Sequence, residues 1–489
     1  MMARFFGRSA GREAISEEEV QRIWNGALTL LADIGTEMLD SVARDRLARA
    51  GASVAGNRVR FDPDMIRESV ALAPKQFPLT GRKPADVVMV GGNDPVASPL
   101  YGATHILDED GTRRRGRLSD LHELHDLTQA FPGLQNAGSN IIEPGDVEPA
   151  LRHLHTMRSV LTRTDKPIMP VTSSRDGAVS SLGLAALRGR DSLAMAALAF
   201  GEDFDQTPRM LAVATCTDAL TWSGGALENI ELFAAAGQAV MLAPFAVVGQ
   251  SAPAEPLALL IQITAEILAG AVYAQLIRPG APVLFGPHFV VLGQNQARVA
   301  AGLDVAALIV ASGQMARCAG LPFRAAGGLT GAKMVDAQAG AESQLMITSS
   351  IDAGAHFLFH ATGWLDDGLT TSKAKFGLDA FILEQALQQT PFERSQSEFV
   401  APPWAPGFNY AKQEQATDRL SRLYRPSPAA DHRSWDAWHA DGARDAGTIA
   451  AAEIGRFPLD LVPLPSSRID ALDDFIARRT LEIRRELGC

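Results

Sequence analysis

The chain has 489 residues, 46% of them hydrophobic, and a formal net charge of -11, enough material for one large core or two to three ordinary domains. An acidic balance with no long basic run argues against nucleic acid as a partner. The three cysteines, Cys216, Cys318 and Cys489, show neither CxxC spacing nor a disulfide framework, which fits a reducing compartment.

The N-terminal stretch "MMARFFGRSAGREAISEEEV" has no apolar core of signal-peptide length. No window is read as the roughly 18 uncharged apolar residues of a membrane span, so the expectation is a cytoplasmic protein with no membrane partner. Residues 16 to 50 read as an amphipathic helical start. Ser16 with Glu19 forms a capping box, and Val20, Ile23, Trp24, Ala27, Leu28 and Leu31 share one face. Residues 58 to 110 hold short β-like pieces, "NRVRFD", "VVMVGGNDP" and "HILDEDGTRR". We read residues 1–133 as an N-terminal helix and small β-rich cap. Arg113, Arg114 and Arg115, the densest basic cluster, read as a solvated turn beside "DEDG".

From residue 134 the rhythm changes. Short apolar runs end in small or polar residues and a helical stretch follows each. The runs begin at Leu134 ("LQNAGSNII"), Lys166 ("KPIMPVTSS"), Arg209 ("RMLAVATCT"), Gln238 ("QAVMLAPFAVVG"), Ala281 ("APVLFGPH"), Leu321 ("LPFRAAGG"), Ala355 ("AHFLFHATG") and, weakly, Ala374 ("AKFGLD"). Eight strand–helix units over residues 134–390 have the number and size of an α/β (β/α)8 TIM barrel. A doubly wound sheet competes, but it needs no eight units and no G-x-G-x-x-G follows the first run. Residues 391–489 open with "FVAPPWAPGF" and end in "IDALDDFIARRTLEIRREL". They read as a C-terminal helical arm that packs on the barrel or on a second subunit of a homo-oligomer.

In a parallel barrel the polar residues at strand C-terminal ends face the site. That rule selects Asn140, Thr172, Thr215, Phe245, His288, Arg324 and His360. Arg324 can grip a carboxylate with two parallel N–H donors; the plain alternative is an ion pair with Asp336 or Glu342 on the next helix. His360, one unit later, is expected beside it as a second cationic or donor group. Asp336, Gln338 and Glu342 fall within two helical turns, as a helix N-terminus or as supports of the strand-end residues. Tyr101, Phe245, Trp222, Trp364 and Phe408 are aromatic groups in loops or near strand ends, able to stack on a quaternary ammonium. No Walker A loop, H-E-x-x-H or G-x-S-x-G motif is present, and no metal site is expected.

Five motifs in order, "PLTGRKPADVVMVGG" from Pro78, "YGATHILDEDGTRRRGRLSD" from Tyr101, "TRTDKPI" from Thr162, "KMVDAQAGAESQ" from Lys333 and "AGAHFLFHATGWLDDGLTTSKAKFGLD" from Ala353, resemble the corrinoid-dependent trimethylamine methyltransferase family. The resemblance runs over residues 15 to 390 and continues weakly into the tail. It implies a (β/α)8 barrel that moves a methyl group from a methylated amine to Co(I) of a separate corrinoid protein, with no cofactor held tightly by this chain. Founding members carry pyrrolysine; this sequence holds only standard residues and resembles the non-pyrrolysine branch, where glycine betaine is a substrate. By resemblance, Arg324 and His360 would meet the betaine carboxylate and Tyr101 the ammonium. The tail stretch "GFNYAKQEQATDRL" lacks the histidine associated with the family there. Glycine betaine is the first expectation, with proline betaine, carnitine and γ-butyrobetaine as alternatives. Two rivals keep the barrel: a lyase or hydrolase with His288 or His360 as general base, and a non-catalytic betaine-binding protein.

Overall fold

A computed structural model describes residues 13–487 except 84–86, 174–183, 202–203, 205, 217, 293–297, 389–401, 403 and 414; Cys489 lies outside these residues. The fold is mixed α/β. Leu211–Ala214, Ala239–Leu242 and Val283–Phe285 form one parallel three-stranded sheet. Arg324–Ala326, Phe357–Phe359 and Val96–Ala97 form another. Parallel bridges join Ile168 to Met210 and Phe285 to Phe323. The Asn136 amide donates to the Ala97 carbonyl (3.0 Å), Ala137 to Pro167 (2.8 Å) and Met169 to Gly138 (2.9 Å). The strands as assigned are thus separate short sheets rather than one closed sheet, with single backbone hydrogen bonds running between them.

Alternation along these strands explains their double burial. Leu211, Ala239, Met241, Leu284, Phe357 and Phe359 pack with Val96 and Met169 in one cluster. Their neighbours Ala212, Val240, Leu242, Phe285 and Leu358 pack in a second, larger cluster shared with the helices, as strands buried on both faces must. The antiparallel hairpin Phe77–Thr80/Val87–Val90 contributes Phe77, Leu79 and Val90 to the first cluster. A helix follows each extended segment: Leu118–Ala130, Arg152–Arg163, Ala185–Phe200, Gly224–Ala235, Pro256–Ile277, Leu303–Ala319, Ala337–Asp352 and Lys373–Leu387. Each packs on the next in chain order.

Several expectations need correction. The weak run at Ala374 lies inside the Lys373–Leu387 helix, capped by the Ser372 side chain on the Lys375 amide; Phe376, Ala380 and Leu383 are spaced for one helix face and are buried. The segment paired with Phe357–Phe359 is instead Val96–Ala97, so the boundary drawn at residue 134 cuts through the strand pairing. The continuous helical start is helix Glu17–Asp33, strand Thr36–Met38 and helix Ser41–Arg49. Gly35 makes the break at φ 77°, where a Cβ would fall 2.2 Å from the Val59 carbonyl oxygen. The capping box of Ser16 and Glu19 is present. Thr36–Met38 pairs in parallel with Thr221–Trp222 of the body.

The helix Pro256–Ile277 does reach the length and apolar composition of a membrane span, contrary to the sequence reading. It is mostly buried within the chain, against Glu17–Asp33, Pro63–Leu72 and Gly224–Ala235, and is a core helix. In the tail, Ala446–Ile454 packs on Lys373–Leu387, and Ser466–Leu487 packs on Arg152–Arg163 and Ala185–Phe200. The Arg113–Arg115 cluster is a hairpin strand whose Arg114 pairs with Asp108 and Asp120 and whose Arg113 pairs with Asp366.

Candidate functional site

A cavity of about 170 Å³ lies at the C-terminal ends of the parallel segments, walled by Tyr101, Gly102, Glu143, Ser173, Val213, Thr215, Ala243, Phe245, His288, Arg324, Phe359 and His360. Thr215, Phe245, His288, Arg324 and His360, chosen from five different apolar runs, thus meet at one place together with Tyr101.

Arg324 is the first residue of its strand, not the last, and its side chain points into the first hydrophobic cluster. It is 2% exposed. Its Nη1 donates to the Pro287 carbonyl at 2.9 Å, and the guanidinium lies 5.1 Å from the centre of the Phe359 ring. Its Nε has no hydrogen-bond partner. Among the described residues no carboxylate pairs with it, and burial holds its pKa down to about 9. The ion pair with Asp336 or Glu342 is not formed. Asp336 caps the Ala337–Asp352 helix at the Ala339 amide. Glu342 accepts from Thr330 Oγ1, the Gly331 amide and Gln338, so this trio fixes the loop after the Arg324 strand. Gly286 makes room for Arg324: a Cβ there would fall 2.9 Å from Met241 Cγ and 3.3 Å from Arg324 Cβ.

His360 follows the Phe357–Phe359 strand with φ 61°, a left-handed conformation that a non-glycine residue holds at a cost of order 1–3 kcal/mol. The bend lays its ring on Phe359 (centroids 3.8 Å apart) and against Trp364 (4.7 Å). The Tyr101 amide donates to His360 Nδ1 at 3.2 Å. A ring that accepts at Nδ1 carries its proton on Nε2, so His360 is a neutral donor here rather than the cation first considered. His288 stacks on Phe245 at 5.0 Å and meets the edge of His360 at 6.1 Å. Tyr101 lies 6.0 Å from Phe359, and its hydroxyl donates to the Pro170 carbonyl at 3.3 Å. Burial raises the phenol's pKa, so it stays protonated.

Other candidates stand behind or away from the wall. Trp364, 1% exposed, supports both histidine rings. The Asn140 carbonyl accepts from the Gly102 amide at 2.6 Å and holds the turn after Tyr101. Thr172 is buried next to Tyr101, and Thr215 is in the wall. Trp222 is wholly buried in its strand over Gly270, and Phe408 is a surface residue set edge-on against Tyr410.

Sequence reasoning missed three features. Glu143 and Phe359 belong to the wall. Behind it, Lys375 and Asp379 form an ion pair with no solvent exposure. Lys375 Nζ also donates to Ser343 Oγ (2.9 Å) and the Gly328 carbonyl (3.2 Å), and Asp379 accepts from the Gly363 amide (2.8 Å). Desolvation lowers the lysine pKa and raises the aspartate's. The pair ties the loop after the Arg324 strand to the loop after His360; its i,i+4 spacing in "KAKFGLD" was the available signal. Chemically, among the described residues the cavity offers the Arg324 guanidinium with no carboxylate paired to it, the His360 N–H donor, aromatic walls and the Glu143 carboxylate. Among the described residues no group of three His, Cys, Asp or Glu could hold a metal, and Cys216 is buried with its thiol pKa pushed up.

The model of the family described as "Trimethylamine methyltransferase (MTTB)" matches residues 4–484. The chain belongs to the trimethylamine methyltransferase family. A glycine betaine methyltransferase of Desulfitobacterium hafniense (strain Y51) is 30% identical over 481 residues, 96% of this chain and 98% of that protein. A proline betaine:corrinoid methyltransferase of Eubacterium limosum is 26% identical over 371 residues, 75% of each chain. A solved structure, the monomethylamine methyltransferase of Methanosarcina barkeri, has the same fold at a TM-score of 0.51 and 10% identity, over 97% of this chain and 91% of that one. The trimethylamine methyltransferase family thus accounts for nearly the whole length, tail included.

Proposed function

We propose that the protein transfers a methyl group from a carboxylate-bearing quaternary amine, glycine betaine first, to a corrinoid carried by a separate protein. The observation that carries this reading is Arg324, a buried guanidinium in the cavity wall with no acid beside it among the described residues. A buried charge needs a counter-charge, and a ligand carboxylate supplies one. In this reading the carboxylate lies on Arg324 and the Nε2–H of His360. The ammonium lies among Tyr101, Phe245 and Phe359, whose ring faces attract a cation that cannot hydrogen-bond. The similarity to the glycine betaine enzyme over nearly the whole length of both chains supports the same substrate.

We also read the parallel segments and their eight helices as a (β/α)8 barrel, supported by the bridges and backbone hydrogen bonds between the sheets. The cavity suits a small amine and not a macrocycle, in line with a corrinoid that stays on its partner. Leu303, the exposed first residue of its helix, and Met334, exposed in the loop before the Ala337–Asp352 helix, offer that partner apolar surface. The corrinoid supplies the nucleophile that accepts the methyl group. The chain's own residues bind, orient and exclude water. A quaternary ammonium leaves as a neutral tertiary amine, so no general acid is needed. His360, with its proton already on Nε2, is placed as a donor and not as the base that a lyase would need.

The test is methyl transfer to a supplied corrinoid protein, followed by its absorbance, together with calorimetry of betaine on the purified chain. Glycine betaine is expected to bind and react. His360→Gln is expected to raise KM about tenfold or more while keeping most of kcat. No heat and no transfer with any betaine would overturn the proposal.

A further inference from the structure

Arg324 alone would make the cavity a site for any small carboxylate. The wall holds a second, opposite charge that nothing so far has used. Glu143 is 2% exposed and lines the cavity in company with Tyr101, Gly102 and Ser173. Its amide donates to the Ala103 carbonyl at 2.7 Å, so the backbone fixes it directly beside the turn that carries Tyr101. Arg152, largely buried, lies 3.9 Å from the Glu143 carboxylate and anchors it from one side.

We infer that Glu143 is the residue that selects a quaternary ammonium, as the counter-charge that faces the cationic end of a zwitterion whose carboxylate lies on Arg324. This rests on the betaine reading above. A trimethylammonium group has no N–H, so recognition depends on ring faces and on nearby negative charge without hydrogen bonds. Coulomb attraction acts across several ångströms in a low-dielectric pocket, so the carboxylate acts without touching nitrogen. The same charge repels a dicarboxylate and leaves an uncharged hydrocarbon end unrewarded, which makes the choice of a zwitterion selective in both directions.

There is a kinetic signature. The ammonium loses its positive charge as its methyl group leaves. A neighbouring carboxylate therefore stabilises bound substrate more than the transition state. Removing the charge raises KM without lowering kcat.

Calorimetry on the full chain compares glycine betaine with 3,3-dimethylbutanoate, which has the same shape with carbon in place of nitrogen. The wild type is expected to prefer betaine by about tenfold or more. Glu143→Gln is expected to bind both ligands within about threefold of each other, with affinity for the hydrocarbon acid kept or improved. Glu143→Asp restores part of the preference, and is the variant measured if the glutamine form does not fold. An undiminished preference in Glu143→Gln overturns the inference. So does equal loss of both ligands with a lowered unfolding temperature, which would make Glu143 a structural support of Tyr101. A wild type that binds neither acid overturns the Arg324 reading itself, and this inference with it.

Discussion

Replacing Arg324 by Met separates a structural arginine from one kept for a ligand. Burial holds the Arg324 pKa at about 9, against an ordinary value above 12. At about 1.4 kcal/mol per tenfold, carrying that charge costs the empty protein about 5 kcal/mol at neutral pH. Against this stand one charge-assisted hydrogen bond to Pro287, of about 1.5–3 kcal/mol, and the Phe359 contact, of about 0.5–2 kcal/mol. Methionine fills similar space without charge, so the ligand-free variant should be as stable as the wild type or up to about 3 kcal/mol more stable. With about 1 kcal/mol per degree for a chain of this length, Tm should stay level or rise by up to about 3 °C. Glycine betaine should raise the wild-type Tm and leave the variant's unmoved. The pH dependence has a definite sign. The unfolded chain holds this proton more tightly, so the cost is full below about pH 9 and shrinks above it. The wild type should therefore gain on the variant as pH rises past 9. A ligand-free variant several degrees less stable than the wild type, with the betaine shift intact, would refute the reasoning: Arg324 would then be holding the fold and not a substrate.

Three further outcomes follow from the packing around the site. Asp379→Ala leaves Lys375 buried without its partner and should cost about 3–5 kcal/mol in chemical denaturation, whereas Lys375→Met with Asp379→Leu should recover most of it. Gly286→Ala puts a methyl group against Met241 and Arg324; about 1–3 kcal/mol of overpacking should appear as weaker betaine binding by calorimetry. Glu266 is buried and its pKa is pushed up to about 7 by desolvation, so the fold keeps a proton that the unfolded chain releases near pH 4–5. Stability should fall as pH rises from 5 to 8, and Glu266→Gln should remove about 2–3 kcal/mol of that fall, read from urea midpoints at the two pH values.

What the sequence revealed of the site follows from one geometric rule. Parallel strands around a common axis bring their C-terminal ends together, so polar or aromatic residues after apolar runs converge without any contact being known in advance. Phe245, Thr215, His288, Arg324 and His360 were selected that way and share one cavity. The rule stopped short at "SNIIEP": Asn140 was chosen inside the run, while Glu143, two residues past Ile141 and just before a proline, reaches the wall. A charged residue at the edge of an apolar run carries the same positional meaning as Arg324, and reading it as such would have found it. Val96–Ala97 was illegible for a different reason. Two residues cannot display a period of two, and their pairing with Phe357–Phe359 is a long-range choice with no local trace. "AKFGLD" failed in the opposite sense, since a short apolar run fits strand or helix alike; the Lys375–Asp379 spacing would have decided it, because only a helix puts residues four apart on one face. Nor does a sequence state protonation. That His360 is a neutral donor depends on the Tyr101 amide meeting Nδ1, a contact between residues 259 positions apart. Among the described residues of the wall Arg324 carries the guanidinium charge, so the binding of an anionic group turns on that residue, and His360 contributes direction more than charge.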